Sequence, residues 1–111
     1  MNMAATLEDV RFDVQGLVVA IAQDHLTREL LMVAYMTRES LIQTLETGLM
    51  TYWSRSRQRL WVKGATSGQL QEVRHVRLDC DGDALVFEVN QCGSGVCHTG
   101  ATTCFHRNLM P

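Results

Sequence analysis

Residues 30–48 read LLMVAYMTRESLIQTLETG, and this stretch carries the strongest local structural signals of the chain. Its first part, Leu30 to Met36, is an apolar run of residues that favour strands. Thr37 then occupies an N-cap position, Glu39 follows in the first turn, and Gly48 is placed to end a helix. The stretch therefore predicts a strand that leads directly into a capped helix.

The rest of the chain predicts mostly strands around that helix. Leu41, Ile42 and Leu45 form one apolar stripe, so we expect the helix to pack on a core and to carry no chemistry. Further strands are predicted at Leu17–Gln23, which would pair with Leu30–Met36 as a hairpin, and at Thr51–Ser54, Glu72–Leu78 and Ala84–Asn90. Arg55–Gly68 is predicted as a loop that Leu60–Val62 interrupts. These elements predict a mainly β fold with one or two helices, of α+β character, on a small twisted sheet.

Length and composition limit the class of protein. A chain of 111 residues, 46% apolar and 20% charged, suits one soluble domain over residues 1–111, with a loose N-terminal segment over 1–12. A net charge of −2 argues against a nucleic-acid binder. The start resembles no secretory signal, and the apolar runs are too short to span a membrane. We therefore expect a cytoplasmic protein, in which cysteines serve as metal ligands or catalysts more often than as disulfides.

The first candidate site is Asp79-Cys80-Asp81-Gly82-Asp83, directly after a predicted strand. In an extended backbone its three carboxylates would point to one face, where they would repel each other unless a cation lay among them. Oxygen ligands suit a hard ion such as Mg²⁺. The EF-hand pattern does not fit, because Ala84 and Asn90 stand at its glycine and glutamate positions. A polar turn without metal explains these residues equally well.

The cysteines and a cationic stretch are two further candidates. Cys80, Cys97 and Cys104 match no closed structural zinc pattern, although three thiolates with one open position suit catalytic zinc; buried thiols that only pack are the alternative. The cationic stretch combines hydroxyls, glycines and basic side chains, which suits phosphate, although a solvated loop is the simpler interpretation. Its candidate phosphate-binding residues are Ser54, Arg55, Arg57, Lys63, Thr66 and Ser67.

Nine blocks in order, from about Leu17 to Arg107, resemble the phosphoribosyl-AMP cyclohydrolase family. They are Met32–Met36, Thr44–Gly48, Tyr52–Arg57, Leu60-Trp61, Lys63-Gly64, Thr66–Gly68, Asp79–Leu85, Cys97–Gly100 and Cys104-Phe105. The resemblance implies a zinc- and Mg²⁺-dependent hydrolase that opens the adenine six-membered ring of phosphoribosyl-AMP, the third step of histidine biosynthesis. It implies an intertwined homodimer with a nucleotide substrate, and no fused pyrophosphohydrolase domain is expected.

The resemblance also implies roles for single residues. Cys80 of one subunit, with Cys97 and Cys104 of its partner, would hold zinc. Asp79, Asp81 and Asp83 would hold Mg²⁺. His98, beside a zinc ligand, is the candidate acid or base, and a structural role is the alternative.

Some positions depart from the family pattern. They are Ala65, Gln69, Ala101, Thr102 and His106, the last in place of a more usual aromatic residue. The extra thiol of Cys92 is interpreted as packing, with a fourth zinc ligand as the alternative hypothesis. Two other functions stay open: a related zinc hydrolase with a shifted nucleotide substrate, and a zinc-binding module without catalysis.

Overall fold

Strands dominate the computed structural model, which describes residues 4–93, 97 and 99–111. Within these residues the elements are a 3₁₀ turn at Leu7–Asp9, β1 Val18–Asp24, β2 Leu30–Met36, α1 Arg38–Thr47, β3 Thr51–Ser54, β4 Arg59–Val62, β5 Gln71–Leu78 and β6 Ala84–Gln91. The prediction of a mainly β fold with one or two helices is confirmed, with α1 as the α-helix. Each predicted strand begins within one residue of its position in the structure.

The six strands form one mixed sheet in the order β4-β3-β2-β1-β6-β5. β1 and β2 form the predicted antiparallel hairpin, with Ala20 opposite Ala34. β6 runs parallel to β1, with Val19 opposite Ala84. The sheet curls, because Leu49, just before β3, forms an antiparallel bridge to Glu72 of β5 at the other end of the strand order. This curl brings segments that are far apart in sequence to the same end of the sheet.

The core lies inside the curl. In β6, Leu85, Phe87 and Val89 are buried, as their alternation with polar residues predicts. They pack with Tyr52 of β3 and Met36 of β2, both of which are fully buried. A single apolar cluster therefore joins the two halves of the sheet.

Helix α1 begins and ends where its capping residues predict. The Ser40 N–H donates to Thr37 Oγ1 at 3.2 Å, and the Thr37 N–H donates to Ser40 Oγ at 2.8 Å. Gly48 ends the helix in the left-handed conformation, with φ +75°. The boundary signals of this helix are thus purely local.

The buried face of α1 differs from the predicted apolar stripe. Ser40, Leu41 and Thr44 are buried, whereas Leu45 is half exposed. Thr44 Oγ1 accepts a hydrogen bond from the Thr51 N–H at 3.0 Å, which joins the helix to the start of β3. A buried hydroxyl that is hydrogen-bonded in this way can replace an apolar side chain, so the helix packs on a mixed face.

The described part of the N-terminal segment packs on the sheet. Leu7, Val10 and Phe12 pack against the core, and the Arg11 N–H donates to the Gly82 carbonyl at 2.6 Å. The segment covers the turn between β5 and β6, which gives its apolar side chains something to bury against. No helix within residues 4–93, 97 and 99–111 is long and apolar enough to cross a membrane.

Candidate active site

The acidic motif forms the tight turn between β5 and β6. Ligand oxygens of Asp79, Asp81 and Asp83 all lie within 4.8 Å of one another, and all three residues are exposed. The turn itself, rather than an extended backbone, brings them together. Asp79 Oδ1 accepts the backbone N–H of Asp83 at 2.9 Å, and the Gly82 N–H donates to the Asp79 carbonyl at 3.1 Å. Asp79 therefore shapes the turn as well as contributing charge.

Asp79 and Asp83 have pKa values that are shifted in opposite directions. Hydrogen bonds from Asp83 and from nearby backbone N–H groups outweigh partial desolvation and lower the pKa of Asp79. The hydrogen bond with Asp79, followed by the negative charge of Asp79, raises the pKa of Asp83. Among the described residues, this is the one group of three His, Cys, Asp or Glu side chains with ligand atoms this close. Its all-oxygen donor set fits a hard cation such as Mg²⁺.

Cys97 and Cys104 lie at the opposite end of the sheet. The Cys104 N–H donates to the Leu31 carbonyl at 2.7 Å, and Thr103 Oγ1 donates to the Leu30 carbonyl at 2.6 Å. These bonds attach the chain after Cys97 to the start of β2. The negative charge of Cys97 acts on Cys104, which shows that the two thiols are neighbours.

The two thiols have different electrostatic environments. The hydroxyl of Thr99 donates to Cys97 Sγ at 3.1 Å, and His106 Nε2 lies 3.8 Å from the same atom. Hydrogen bonds from Thr99, with a further one from His106, lower the pKa of Cys97 to about 6. Desolvation, followed by the charge of Cys97, raises the pKa of the Cys104 thiol. Cys97 is thus mainly a thiolate at neutral pH, which is the form that binds soft metal ions.

Cys80 does not join these thiols within one chain. Cys80 lies in the turn just before β6, and the first residue of β6, Ala84, pairs with Val19 of β1. Cys104 is attached near Leu30, which pairs with Gln23. Val19 and Gln23 are four residues apart along β1, which corresponds to a distance of about 13 Å along the strand. Thiolates on one zinc ion lie about 4 Å apart, so one copy of the chain cannot bring all three to the same ion.

Two further residues, His98 and Cys92, were assigned possible roles near these thiols from the sequence. His98, the candidate acid or base, lies outside the described residues. Cys92 is half-buried; its N–H donates to the Leu70 carbonyl at 2.8 Å, and its Sγ lies 3.9 Å from Asn90 Nδ2. Within the part of the chain that the structure describes, Cys92 belongs to no group of three potential ligands. These contacts are those of a packed thiol.

The cationic stretch forms a hairpin, because residues 59–62 pair with β3 as β4 instead of only interrupting a loop. Five of the six candidate phosphate-binding residues line a groove of about 600 Å³ beside this hairpin: Ser54, Arg57, Lys63, Thr66 and Ser67. Arg55 instead lines a second groove, of about 800 Å³, with Trp53 and Gln15. The structure therefore divides the predicted set into two binding surfaces.

The groove that contains Arg55 continues toward the acidic turn. The Arg55 guanidinium lies over the Tyr35 ring at 4.1 Å from its centre. Tyr35 also lines an adjoining groove of about 470 Å³ with Arg11, Asp81 and Asp83, and Leu17 lines both grooves. Basic and acidic side chains thus share one continuous surface, suited to an anion held together with a cation. Sequence reasoning gave no role to Arg11 or Tyr35, since only tertiary contacts join them to the aspartates.

A buried polar chain connects the strands below the thiols. The hydroxyl of Tyr52 donates to Gln71 Oε1 at 2.7 Å, and Gln71 Nε2 donates to Gln91 Oε1 at 2.9 Å. Gln91 Nε2 then donates to the Cys92 carbonyl at 2.9 Å and to the Gln69 carbonyl at 3.2 Å. This chain holds the end of β6, from which the segment with Cys97 departs, against the loop after Lys63. Gln71 and Gln91 fall just outside the predicted strands, and isolated glutamines carry no signal that would have revealed this polar chain.

The amino-acid sequence is similar to proteins of one enzyme family. A family model described as phosphoribosyl-AMP cyclohydrolase matches residues 32–106. The chain is 55% identical over 106 residues to the phosphoribosyl-AMP cyclohydrolase of Chromobacterium violaceum, covering 96% of this chain and 80% of that protein. It is 58% identical over 101 residues to the protein of the same name from Salinibacter ruber, covering 91% and 79%.

A longer relative contains the same region. The histidine biosynthesis bifunctional protein HisIE of Thermosynechococcus vestitus is 54% identical over 106 residues, which cover 96% of this chain and 50% of that protein. The relatives match nearly the whole of this chain, and the residues that the family model matches include the acidic turn, the cationic hairpin and both clustered thiols. The chain belongs to the phosphoribosyl-AMP cyclohydrolase family, whose members are hydrolases of histidine biosynthesis that act on a cyclic amidine.

Proposed function

We propose that this chain opens the adenine ring of phosphoribosyl-AMP, the third step of histidine biosynthesis, at a zinc site shared between two copies of the chain in the cytoplasm. Family membership supports the reaction. The position of Cys80, at the opposite end of the sheet from Cys97 and Cys104, supports the sharing. Of these observations, the separation of the thiols within one chain carries the most weight.

The donor set fits zinc. Cys97 and Cys104 of one copy and Cys80 of the other would supply three thiolates and leave one position open, as catalytic zinc sites do. When bound, zinc makes water nucleophilic at neutral pH. The Thr99 hydroxyl holds Cys97 in its thiolate form, ready for the metal. His98 remains our candidate to give a proton to the nitrogen that leaves the opened ring.

The outer face of the sheet supports association with a second copy. Ile21 of β1 lies between Val33 of β2 and Val86 of β6 in the strand register. Val33 and Leu30 of β2 are half exposed, so a row of apolar side chains crosses the sheet on its outer surface. A row of this kind favours burial against another protein surface. We propose a second copy of the chain as the partner that covers this apolar row, because it would also supply the third zinc ligand, Cys80.

We place the substrate in the surface that joins the acidic turn to Arg55. Asp79, Asp81 and Asp83 would hold Mg²⁺ against the phosphates of the substrate, and Arg55 would donate to the same anion. The groove with Arg57 and Lys63 offers a second site for phosphate. The substrate carries two phosphate groups, one at each end, and the two grooves would bind one phosphate each.

Magnesium should stabilise the folded chain through the acidic turn. We expect millimolar Mg²⁺ to raise the melting temperature, because an ion that binds only the folded state adds to its stability. Asp81→Asn should remove this effect with little change in the melting temperature without metal, since no backbone N–H among the described residues donates to the Asp81 carboxylate, whereas Asp79 accepts two. Glu46→Gln, at an exposed carboxylate of α1 away from this groove, is the control that should keep the Mg²⁺ response. Equal Mg²⁺ responses in the parent and in Asp81→Asn would contradict this assignment.

Turnover is the direct test of the proposed function. We expect the purified protein with zinc and Mg²⁺ to open the purine ring, followed by ultraviolet absorbance. Cys97→Ser should reduce turnover by roughly a thousandfold, since zinc supplies several kcal/mol to such reactions. Cys92→Ser is the matched control and should keep normal turnover. If folded, zinc-loaded parent protein showed no turnover, the substrate assignment would fall, and Ala65, Ala101 and Thr102 would be the first positions to examine.

A further inference from the structure

Two polar side chains converge on a single sulfur atom. Thr99 Oγ1 donates to Cys97 Sγ at 3.1 Å, and His106 Nε2 lies 3.8 Å from it, within reach of an N–H···S hydrogen bond. We propose that His106 is a positioning residue, which holds the Cys97 thiolate through an N–H···S bond from Nε2 and thereby tunes the metal affinity of the site. The inference rests on the proposed zinc site.

The hydrogen bond from His106 would connect the loop of Cys97 to a segment that is attached to the sheet. His106 follows a segment that is attached to the sheet, because the Cys104 N–H donates to the Leu31 carbonyl and Thr103 Oγ1 donates to the Leu30 carbonyl. Cys97, by contrast, bonds through its backbone to its own loop, with its N–H donating to the Ala101 carbonyl at 3.2 Å. A bond from His106 to Cys97 therefore links this loop to the attached segment and fixes Cys97 relative to Cys104.

Direct zinc ligation by His106 fits the geometry less well. A nitrogen and a sulfur on one tetrahedral zinc lie about 3.5 Å apart, which the distance from His106 to Cys97 nearly matches. However, Cys97, Cys104 and His106 do not form a group with all ligand atoms within 4.8 Å among the residues described. The ligand atoms of these three residues are thus more widely spread than those of the acidic turn. A hydrogen bond to sulfur also leaves open the position that water needs.

The test compares three variants of the zinc-loaded protein. His106→Phe should weaken zinc binding about tenfold in competition with a coloured chelator, the loss typical of an outer hydrogen-bond partner. His106→Gln keeps an N–H donor and should restore most of the affinity. His75→Phe, at an exposed histidine of β5, is the control and should bind zinc like the parent. Parental affinity in His106→Phe would overturn the proposal.

Cobalt substitution separates a hydrogen bond from direct ligation. Loss of a donor to sulfur should move the thiolate-to-cobalt absorption band of His106→Phe to longer wavelength, and His106→Gln should move it back. If both variants instead lost the same ligand-field intensity, His106 would be a direct ligand and the positioning role would be wrong.

A metal-free measurement keeps this inference separate from the proposed function. In metal-free protein, the Cys97→Ala substitution should shift the ¹⁵N resonance of His106 Nε2 relative to the parent, because the nitrogen loses its sulfur partner. The His75 resonances should stay unchanged. An unmoved His106 resonance would overturn the hydrogen bond even if the protein binds zinc. Failure of the parent to bind zinc, with the resonance shifted, would instead remove the proposed cofactor and leave the bond in place.

Discussion

A dimer that combines one Cys80→Ser chain with one Cys97→Ser chain should recover about half of the parental activity, although either variant alone should have almost none. The Cys80→Ser chain keeps Cys97 and Cys104, and the Cys97→Ser chain keeps Cys80. If each site takes Cys80 from one copy and the other two thiols from its partner, one of the two sites in the mixed dimer is intact. Activity would thus return without any new residue.

The experiment requires mixed dimers free of the parent-like pairs. Two differently tagged chains, expressed together and purified through both tags, provide them, and bound zinc and ring opening are then measured. The matched control combines Cys97→Ser with Cys104→Ser, whose lesions lie on the same side of the site, so both sites stay damaged. The shared site would be wrong if the first mixture were as inactive as this control.

Gly64→Ala should destabilise the protein by several kcal/mol or prevent it from folding. Gly64 has φ +83°, and a Cβ placed on it would lie 2.2 Å from the carbonyl carbon of Gln69 and 2.4 Å from the Leu70 nitrogen. Both contacts are with backbone, which cannot rotate away as a side chain can. The Gly68 N–H donates to the Gly64 carbonyl at 2.8 Å, so the loop is closed tightly at this point. The backbone must therefore shift or the loop must open.

Gly68→Ala is the control for the conformational part of this cost. Gly68 has a similar φ of +79°, but a Cβ there would meet nothing within 4 Å. We expect it to cost about 1 kcal/mol, the strain of a left-handed alanine. Urea unfolding of the two variants measures the difference in the free energy of unfolding. Equal losses would show that backbone conformation, rather than the contact with Gln69, governs this loop.

The elements with local signals were predicted well. Thr37 and Gly48 mark the ends of α1 because capping depends on neighbouring residues, and the inward set of β6 follows from simple alternation. The face on which α1 packs was predicted wrongly. Its buried Thr44 is stabilised by Thr51, a partner that no helical periodicity contains.

The candidate site was predicted in its residues and less well in its arrangement. The aspartates converge as expected, but through a turn closed by Gly82 rather than along an extended strand. Arg55 separates from the other phosphate-binding candidates, because the β3–β4 hairpin has two sides. Arg11 joins the acidic turn through the covering N-terminal segment, which the sequence described only as loose.

The amino-acid sequence by itself determined the chemistry of this protein: which strands and helix form, which carboxylates and thiols are present, and to which family the chain belongs. Only the tertiary structure decided how these carboxylates and thiols are arranged relative to one another. The parallel pairing of β1 with β6 places Cys80 and Cys104 at opposite ends of the sheet, and it joins residues 65 positions apart, such as Val19 and Ala84. Such pairings depend on the burial of the whole core rather than on local preference, so the separation of these two thiols follows from the fold and not from the sequence pattern.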